Sequence, residues 1–307
     1  MRRRIIVSLS AAAAVLSATA AAAALTWHTG GEAIDFVTAR GTLVRLQGEG
    51  LYALDSLFAA AGFRAQDTVT LLVAAPALAC LAWRFHRGSA PAVPLLLGVL
   101  AYVLYVSASM ALGAAYNPMF LVHIWSFSAS FFAFVLVFHA PLAFPGWPAR
   151  REAASVMFAA GALTLFVWMA PLVDALVRGR SPVLLDHYTT LVTFALDLAI
   201  ITPATFLAGV LILRRSATGY RIGCALMGLV ILLAPVIALG TINQLKAGIR
   251  FSQGEIAGPI AGFLLLAAAG ARTLWLILRQ IEVPNDVTHG LYLVRSPDRR
   301  RPQRRFS

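Results

Sequence analysis

Residues 92–113 read AVPLLLGVLAYVLYVSASMALG, a stretch without one charged side chain. A helix of about 20 apolar residues is long enough to cross the hydrocarbon core of a bilayer. Stretches of similar length and character recur in seven other places, near residues 5–27, 67–84, 118–139, 153–176, 187–213, 219–241 and 256–279. The sequence therefore predicts an all-α membrane protein built as an eight-helix transmembrane bundle.

The composition of the whole chain agrees with this prediction. Of its 307 residues, 60% are hydrophobic and only 12% are charged, and the mean hydropathy is +0.79. Soluble proteins carry about one quarter charged residues. The composition excludes a soluble enzyme, a disordered chain and a secreted disulfide scaffold. The net charge of +12 reads as an orientation signal beside apolar spans, so no nucleic-acid partner is expected.

The distribution of arginine predicts the orientation. With the N-terminus in the cytoplasm, the inner segments hold most of the basic residues, and both termini lie inside. The Arg- and Ala-rich composition suggests a bacterial inner membrane as the location. The inner groups are Arg2–Arg4, Arg84 with Arg87, Arg150 with Arg151, Arg214 with Arg215 and Arg221, and the arginines from Arg279 onward.

The first span allows two readings. Residues 1–24 have a basic start, an apolar middle and a run of small residues, as a cleaved signal peptide has. Cleavage would leave seven helices. Apolar character continues to Trp27 without a polar cleavage region, which favours residues 1–27 as a retained anchor helix.

The segments outside the spans have distinct characters. Residues 28–66 form an extracytoplasmic segment, in which residues 42–47 alternate as a short strand does and Leu51, Leu54, Phe58 and Ala61 share one helical face. That face predicts an interfacial amphipathic helix, or else a plain connector, ahead of a seven-helix bundle at residues 67–279. The arginine-rich tail, residues 280–307, is predicted to be disordered and to lie near anionic lipids of the bilayer.

Asp197 is the main candidate functional residue. It lies in the apolar run LVTFALDLAII, residues 191–201, and counting from residue 187 places it near the middle of the membrane. Ionisable residues inside spans are costly, and they mark functional sites by default. Pro203 follows it and frees the carbonyl group of Ala199, so a kink is expected close to Asp197.

Polar residues on three spans could surround this carboxyl. Thr193 is one turn from Asp197 on the same span, Tyr105 belongs to the polar stripe of the third span, and His123 and Ser126 belong to that of the fourth. If these stripes face each other, they line a polar cavity that opens to the outside, with a polar rim formed by Asp55, Arg64, Asp67 and Asn117. Alternatively, the serine, threonine and tyrosine side chains only pack helices together.

Other chemistry finds little support in the residues. Arg272 lies inside the last span and could be a counter-ion of Asp197, or its side chain could extend to the membrane surface. The histidine pairs His123 with His187 and His86 with His139 could in principle hold haem, but His86 and His139 look like loop edges. No zinc-binding spacing and no catalytic signature occurs, so neither a metal nor a cofactor is predicted.

Several segments resemble a group of uncharacterised bacterial multi-spanning membrane proteins. They are RGTLV at residues 40–44, GLY at 50–52, Asp55-Ser56, FRAQD at 63–67, YNPMFLV at 116–122, and Thr193 through Asp197-Leu198 to Pro203. The likeness extends over about residues 40–250. It implies the multi-span architecture, assigns no activity, and adds interest to the polar rim.

Three functions remain open from the sequence. The first is a binding or transport protein with an outward-facing polar cavity, in which Asp197 binds a cation or a proton. The second is a membrane-embedded enzyme that acts on a lipid or quinone, with Asp197 or His123 as acid or base. The third is a structural or assembly partner, which predicts that Asp197 and Arg272 form an ion pair and that side chains fill the cavity.

Overall fold

The computed structural model describes residues 1–251 and 253–281, and side chains in residues 1–251 and 260–281. Eight of the described helices are long and apolar enough to span a membrane. The predicted eight-helix, all-α membrane protein is therefore confirmed. The helices are α1 (Arg2–Thr26), α2 (Leu57–His86), α3 (Ala92–Gly113), α4 (Phe120–Phe138), α5 (Arg150–Val177), α6 (Val192–Leu213), α7 (Ala217–Lys246) and α8 (Gln253–Leu278).

The connections alternate between two ends of the bundle. One end, called the basic end, holds the arginine-bearing starts of α1, α5 and α7 and the ends of α2 and α6. The opposite end, called the hairpin end, carries an antiparallel hairpin of β1 (Ile34–Val37) and β2 (Leu43–Leu46), with Ile34 opposite Leu46. Most of the predicted basic tail, residues 282–307, lies outside the described residues.

Helix α1 packs into the bundle along α2 and α4. Its buried face consists largely of small residues, among them Ser10, Ala13 and Ala20. Small residues allow helix backbones to approach closely in a membrane. A guanidinium nitrogen of Arg2 donates a hydrogen bond to the carbonyl oxygen of Leu136 at 3.1 Å. These contacts make α1 a member of the helix bundle.

Helix α2 differs from the prediction for its region. A short 3-10 turn covers Gly50–Tyr52. Ser56 then caps α2 by accepting a hydrogen bond from the amide nitrogen of Ala59 at 3.2 Å. The structure therefore has one spanning helix from Leu57, in place of an interfacial helix followed by a span from residue 67. The polar residues Gln66 and Asp67 do not end the helix, because both are buried inside the bundle.

Helices α2 and α6 share an unusual internal geometry. Each contains a five-residue π-helical segment, Thr70–Ala74 in α2 and Asp197–Ile201 in α6. A proline, Pro76 or Pro203, follows six residues after the start of each segment. Proline has no N–H and its ring displaces the carbonyl group four residues before it, so the preceding turn widens. The two helices are thus interrupted at equivalent places for the same reason.

The equivalence continues beyond the prolines. Residues 70–90 align with residues 197–217 without a gap, and both helices end at matching positions, His86 and Leu213. The second residue after each helix, Gly88 or Arg215, has a left-handed backbone, with φ of +87° and +57°. Ser-Ala then follows in both.

The helix packing has the same repeat. Helices α1 to α4 form one half and α5 to α8 the other, because α1 contacts α2 and α4 as α5 contacts α6 and α8. Helix α3 packs on α4 as α7 packs on α8, and α2 packs on α7 as α6 packs on α3. Equivalent helices, such as α1 and α5, are four positions apart in the order of the spans, and because this number is even both halves have the same direction. The halves meet where Gly98 of α3 contacts Gly228 of α7.

Candidate functional site

Asp197 is the first residue of the π-helical segment of α6. Its side chain is buried, with 7% of the residue exposed. Helix α6 begins at Val192, so Asp197 is about 8 Å along the axis from the start of the helix. Asp197 is therefore closer to the start of its helix than a count from residue 187 predicts. The prediction counted from residue 187, but residues 186–191 form a connection that follows a 3-10 turn at Val183–Leu185.

The carboxyl of Asp197 has neutral neighbours. The hydroxyl of Tyr105 on α3 and the indole of Trp168 on α5 lie beside it. The indole nitrogen of Trp168 is buried beside this carboxyl. Among the ion pairs of the described side chains, none includes Asp197. Asp197 is thus a buried carboxyl without a positive charge paired to it there.

A groove opens along α6 next to this residue. Its volume is about 400 Å³, and Phe194, which lines it, also packs on Trp168 with ring centroids 4.4 Å apart. Phe194 thus contacts both the groove and Trp168, the indole that lies beside Asp197. The remaining lining is mainly apolar and consists of Leu172, Leu185, Thr189, Thr190, Leu191, Ala195, Leu198 and Ala199.

Most of the predicted neighbours of Asp197 lie elsewhere. Thr193 is exposed, because α6 starts only one residue before it and the π-helical segment changes the register beyond it. Ser126 forms a hydrogen bond with Ser107 of α3 at 2.8 Å and so joins α3 to α4. His123 is buried, and its Nε2 atom has no hydrogen-bond partner among the described residues. Of the predicted set, Tyr105 is the residue whose side chain lies beside Asp197 among the described residues.

Arg272 is not a counter-ion of Asp197. Its guanidinium forms an ion pair with Glu152 of α5. The same Glu152 carboxylate accepts a hydrogen bond from the hydroxyl of Thr273 at 2.9 Å. Of the two alternatives for Arg272, the pairing with Asp197 is not formed, because an acid near the start of α5 engages this arginine.

The predicted rim residues form two separate clusters at the hairpin end. Asp67 accepts a hydrogen bond from the hydroxyl of Tyr52 at 2.6 Å, with Arg64 close by. Asn117 instead stabilises its own turn, since its side chain donates to the carbonyl oxygen of Ala115 and accepts from the amide of Met119. These residues connect α2 and the α3–α4 turn to the loops above them.

Asp55 is the centre of the second cluster, and the residue is fully buried. Its Oδ1 atom accepts hydrogen bonds from the amide nitrogen of Ala115 at 2.8 Å and from the hydroxyl of Tyr188 at 2.7 Å. Its Oδ2 atom is buried without a partner. Burial raises the pKa of Asp55 to about 6, and the two hydrogen bonds only partly offset this effect.

The sequence analysis missed the residues that hold this cluster together. Ser56 donates to a carboxylate oxygen of Asp186 at 2.6 Å. Arg40, in the turn of the hairpin, donates to the backbone carbonyl oxygens of Asp186 and Tyr188. A weak signal did exist, because the dipeptide Leu-Asp occurs in both polar segments, at Leu54-Asp55 and at Leu185-Asp186. These contacts hold residues 183–191 in place, and this segment forms part of the wall of the groove along α6.

Comparison with known proteins adds neither a family nor an activity. The chain matches no family model, no curated protein and no solved structure. Among the described residues, no group of three or more metal-ligating side chains comes together. The geometry around Asp197 is therefore the basis for inferring a function.

Proposed function

We propose that this protein binds a cation, either a proton or a small metal ion, at Asp197 and couples its movement to transport across the membrane. The observation that supports this most directly is a buried carboxyl without a paired positive charge at the start of a π-helical segment. π-helical turns inside α-helices are frequent at functional sites. Under the same proposal, the basic end faces the cytoplasm of a bacterial cell.

The internal repeat provides a comparison for Asp197 in which the same local fold forms around a different residue. The residue equivalent to Asp197 in α2 is Thr70, whose hydroxyl forms a hydrogen bond with Tyr102 of α3 at 3.1 Å. The same π-helical segment and the same proline therefore form with an uncharged residue. A carboxyl in place of threonine costs free energy inside a membrane. Since the fold does not require it, we assign that carboxyl to ion binding.

The surroundings of Asp197 are suited to a cation. Carboxylate and carbonyl oxygens are the ligands of small hard cations. Pro203 lacks an N–H group, so the carbonyl group of Ala199, two residues after Asp197, loses its normal helical partner. Interrupted helices with free carbonyl groups form ion sites in many transporters, and repeats of the same direction occur in one large class of them.

A second function is favoured by a different observation. The groove beside α6 is mainly apolar and about 400 Å³ in volume, which fits a lipid chain. A membrane-embedded enzyme could bind a lipid or quinone there and use Asp197 as acid or base. This alternative requires access past Trp168 and Phe194. Conversion of a bound lipid by the purified protein would favour it over transport.

Ion flux in proteoliposomes tests the first proposal. The full chain is reconstituted with a pH-sensitive dye inside the vesicles, and Na⁺ or K⁺ is added outside at a fixed membrane potential. We expect the native chain to move protons or the added cation and Asp197→Thr to show no flux above empty vesicles. The matched control Thr70→Ser keeps a hydroxyl in the other half and should retain full flux. Equal flux by Asp197→Thr and the native chain would overturn the proposal.

A further inference from the structure

A second cavity lies at the basic end, beyond the end of α6, whereas Asp197 lies near the start of that helix. Its volume is about 400 Å³, and Gly146, Trp147, Arg150 and Arg215 line it. Arg150 is the first residue of α5, while Arg215 belongs to the turn between α6 and α7. Two different elements therefore contribute one arginine each to the lining of the same cavity.

No acid among the described side chains neutralises either arginine. Within the described side chains, Arg150 and Arg215 take part in none of the ion pairs. The nearest acid along the chain is Glu152, and it is engaged by Arg272 and Thr273. Helix α5 also lacks a side-chain cap at its start, so its dipole adds to the positive potential. The cavity is thus suited to an anion.

The wall of the cavity is held in place. The hydroxyl of Tyr220 on α7 donates to the carbonyl oxygen of Pro148 at 2.9 Å. The Tyr220 ring packs against Trp147, with centroids 5.8 Å apart. Trp147 and Ala149 both have left-handed backbones, with φ of +56° and +48°. The buried Tyr220 therefore fixes a strained segment beside the cavity.

The internal repeat shows that Arg215 is not required by the turn. Its equivalent in the first half is Gly88, which adopts the left-handed backbone without a steric penalty. A left-handed backbone costs conformational free energy for arginine but not for glycine. In the first half, Arg3 extends over the ring of Phe85, 5.7 Å from its centroid, and approaches Gly88. The second half thus keeps a strained arginine beside an open cavity.

We infer that this cavity binds the phosphate group of an anionic phospholipid. Planar guanidinium groups donate paired hydrogen bonds to phosphate oxygens. The cavity is at the level where α5 begins and α6 ends, and tryptophan prefers the headgroup region. Basic pockets of this kind between membrane helices bind anionic headgroups. The ligand chemistry is a phosphate ester between two guanidinium groups, with the lipid chains lying along the helices.

Lipid titration of the purified full chain tests this site. Phosphatidylglycerol, phosphatidylcholine and inorganic phosphate are added in turn, with binding read by native mass spectrometry and by the thermal unfolding temperature. We expect phosphatidylglycerol to bind and raise the unfolding temperature, while phosphatidylcholine has little effect. Arg215→Gly and Arg150→Gln should each weaken phosphatidylglycerol binding by about tenfold or more, the loss of a charge-assisted contact.

The variants also distinguish binding from folding. Without added lipid, Arg215→Gly should unfold at the native temperature or above it, because glycine relieves the strained backbone. Arg214→Gln, at an exposed neighbouring arginine that does not line the cavity, should leave the lipid effect unchanged. Unchanged phosphatidylglycerol binding by Arg215→Gly would overturn the inference. So would binding of inorganic phosphate without binding of phosphatidylglycerol.

Discussion

Replacing Gly228 with alanine should strongly destabilise the bundle. A Cβ atom built on Gly228 would lie 2.4 Å from the Cα atom of Gly98, and one built on Gly98 would lie 2.8 Å from the Cα atom of Gly228. Both obstacles are backbone, which cannot rotate away as a side chain does. Separating α3 from α7 also separates the two halves of the protein. We expect the free energy of unfolding to fall by about 1–3 kcal/mol, which is the usual cost of overpacking.

A matched glycine provides the control. Gly270 of α8 also faces α7, but a Cβ atom built there would lie 3.8 Å from the nearest atoms, in Met227. That distance is an ordinary contact, so Gly270→Ala should be neutral or slightly stabilising through helix propensity. Thermal unfolding in detergent compares both variants with the native chain. Equal unfolding temperatures for Gly228→Ala and Gly270→Ala would contradict the close approach of the two halves.

The stability of the hairpin end should fall as pH rises from about 4 to about 6. The pKa of Asp55 is about 6 in the folded chain and 3.8 in the reference state. Within this range the folded chain keeps a proton that the unfolded chain has lost, so raising the pH favours unfolding. The contribution of Asp55 is fully present below pH about 4. When this contribution is lost, the free energy of unfolding falls by roughly 3 kcal/mol, because each unit of difference between the two pKa values corresponds to about 1.4 kcal/mol.

Asp55→Asn isolates this effect. Asparagine keeps an oxygen acceptor for the Ala115 amide and the Tyr188 hydroxyl, but it does not titrate. The unfolding temperature of the Asp55→Asn variant should therefore change less between pH 4 and pH 6 than that of the native chain. His187 nearby has a lowered pKa because of burial, and it contributes the opposite slope in both chains. Asp35→Asn in the exposed hairpin serves as control and should keep the native profile. An Asp55→Asn profile parallel to the native one would contradict a buried, protonated Asp55.

Hydropathy predicted the spans because the bilayer imposes length and apolar character on each helix separately. Hydropathy did not predict the beginning of α2. Its first turns carry Arg64 and Asp67, which looked like a polar boundary, yet Asp67 is satisfied by Tyr52 from the loop above. Contacts of this kind depend on the tertiary fold, so a local pattern does not reveal them.

The candidate site was predicted in part. Asp197 stands out in any apolar run, but the positions of its neighbours depended on an uninterrupted helix from residue 187. The loop before Val192 and the π-helical segment invalidate that count, and Thr193 is therefore exposed. Trp168 comes from another helix and gives no signal in the sequence. The internal repeat was missed because residues 70–90 and 197–217 share few identities, and their common π-helical geometry appears only in the structure.

Carbodiimide labelling of Asp197 tests the central claim most directly. Carbodiimides modify protonated carboxyl groups that solvent can reach, and peptide mapping by mass spectrometry assigns the label to residue 197, with Asp197→Thr as the blank. We expect labelling of the full chain to rise as the pH is lowered and to fall when excess Na⁺ or K⁺ competes for the site. No labelling at any pH would mean that Asp197 is sealed inside the bundle, and it would contradict the proposed ion site.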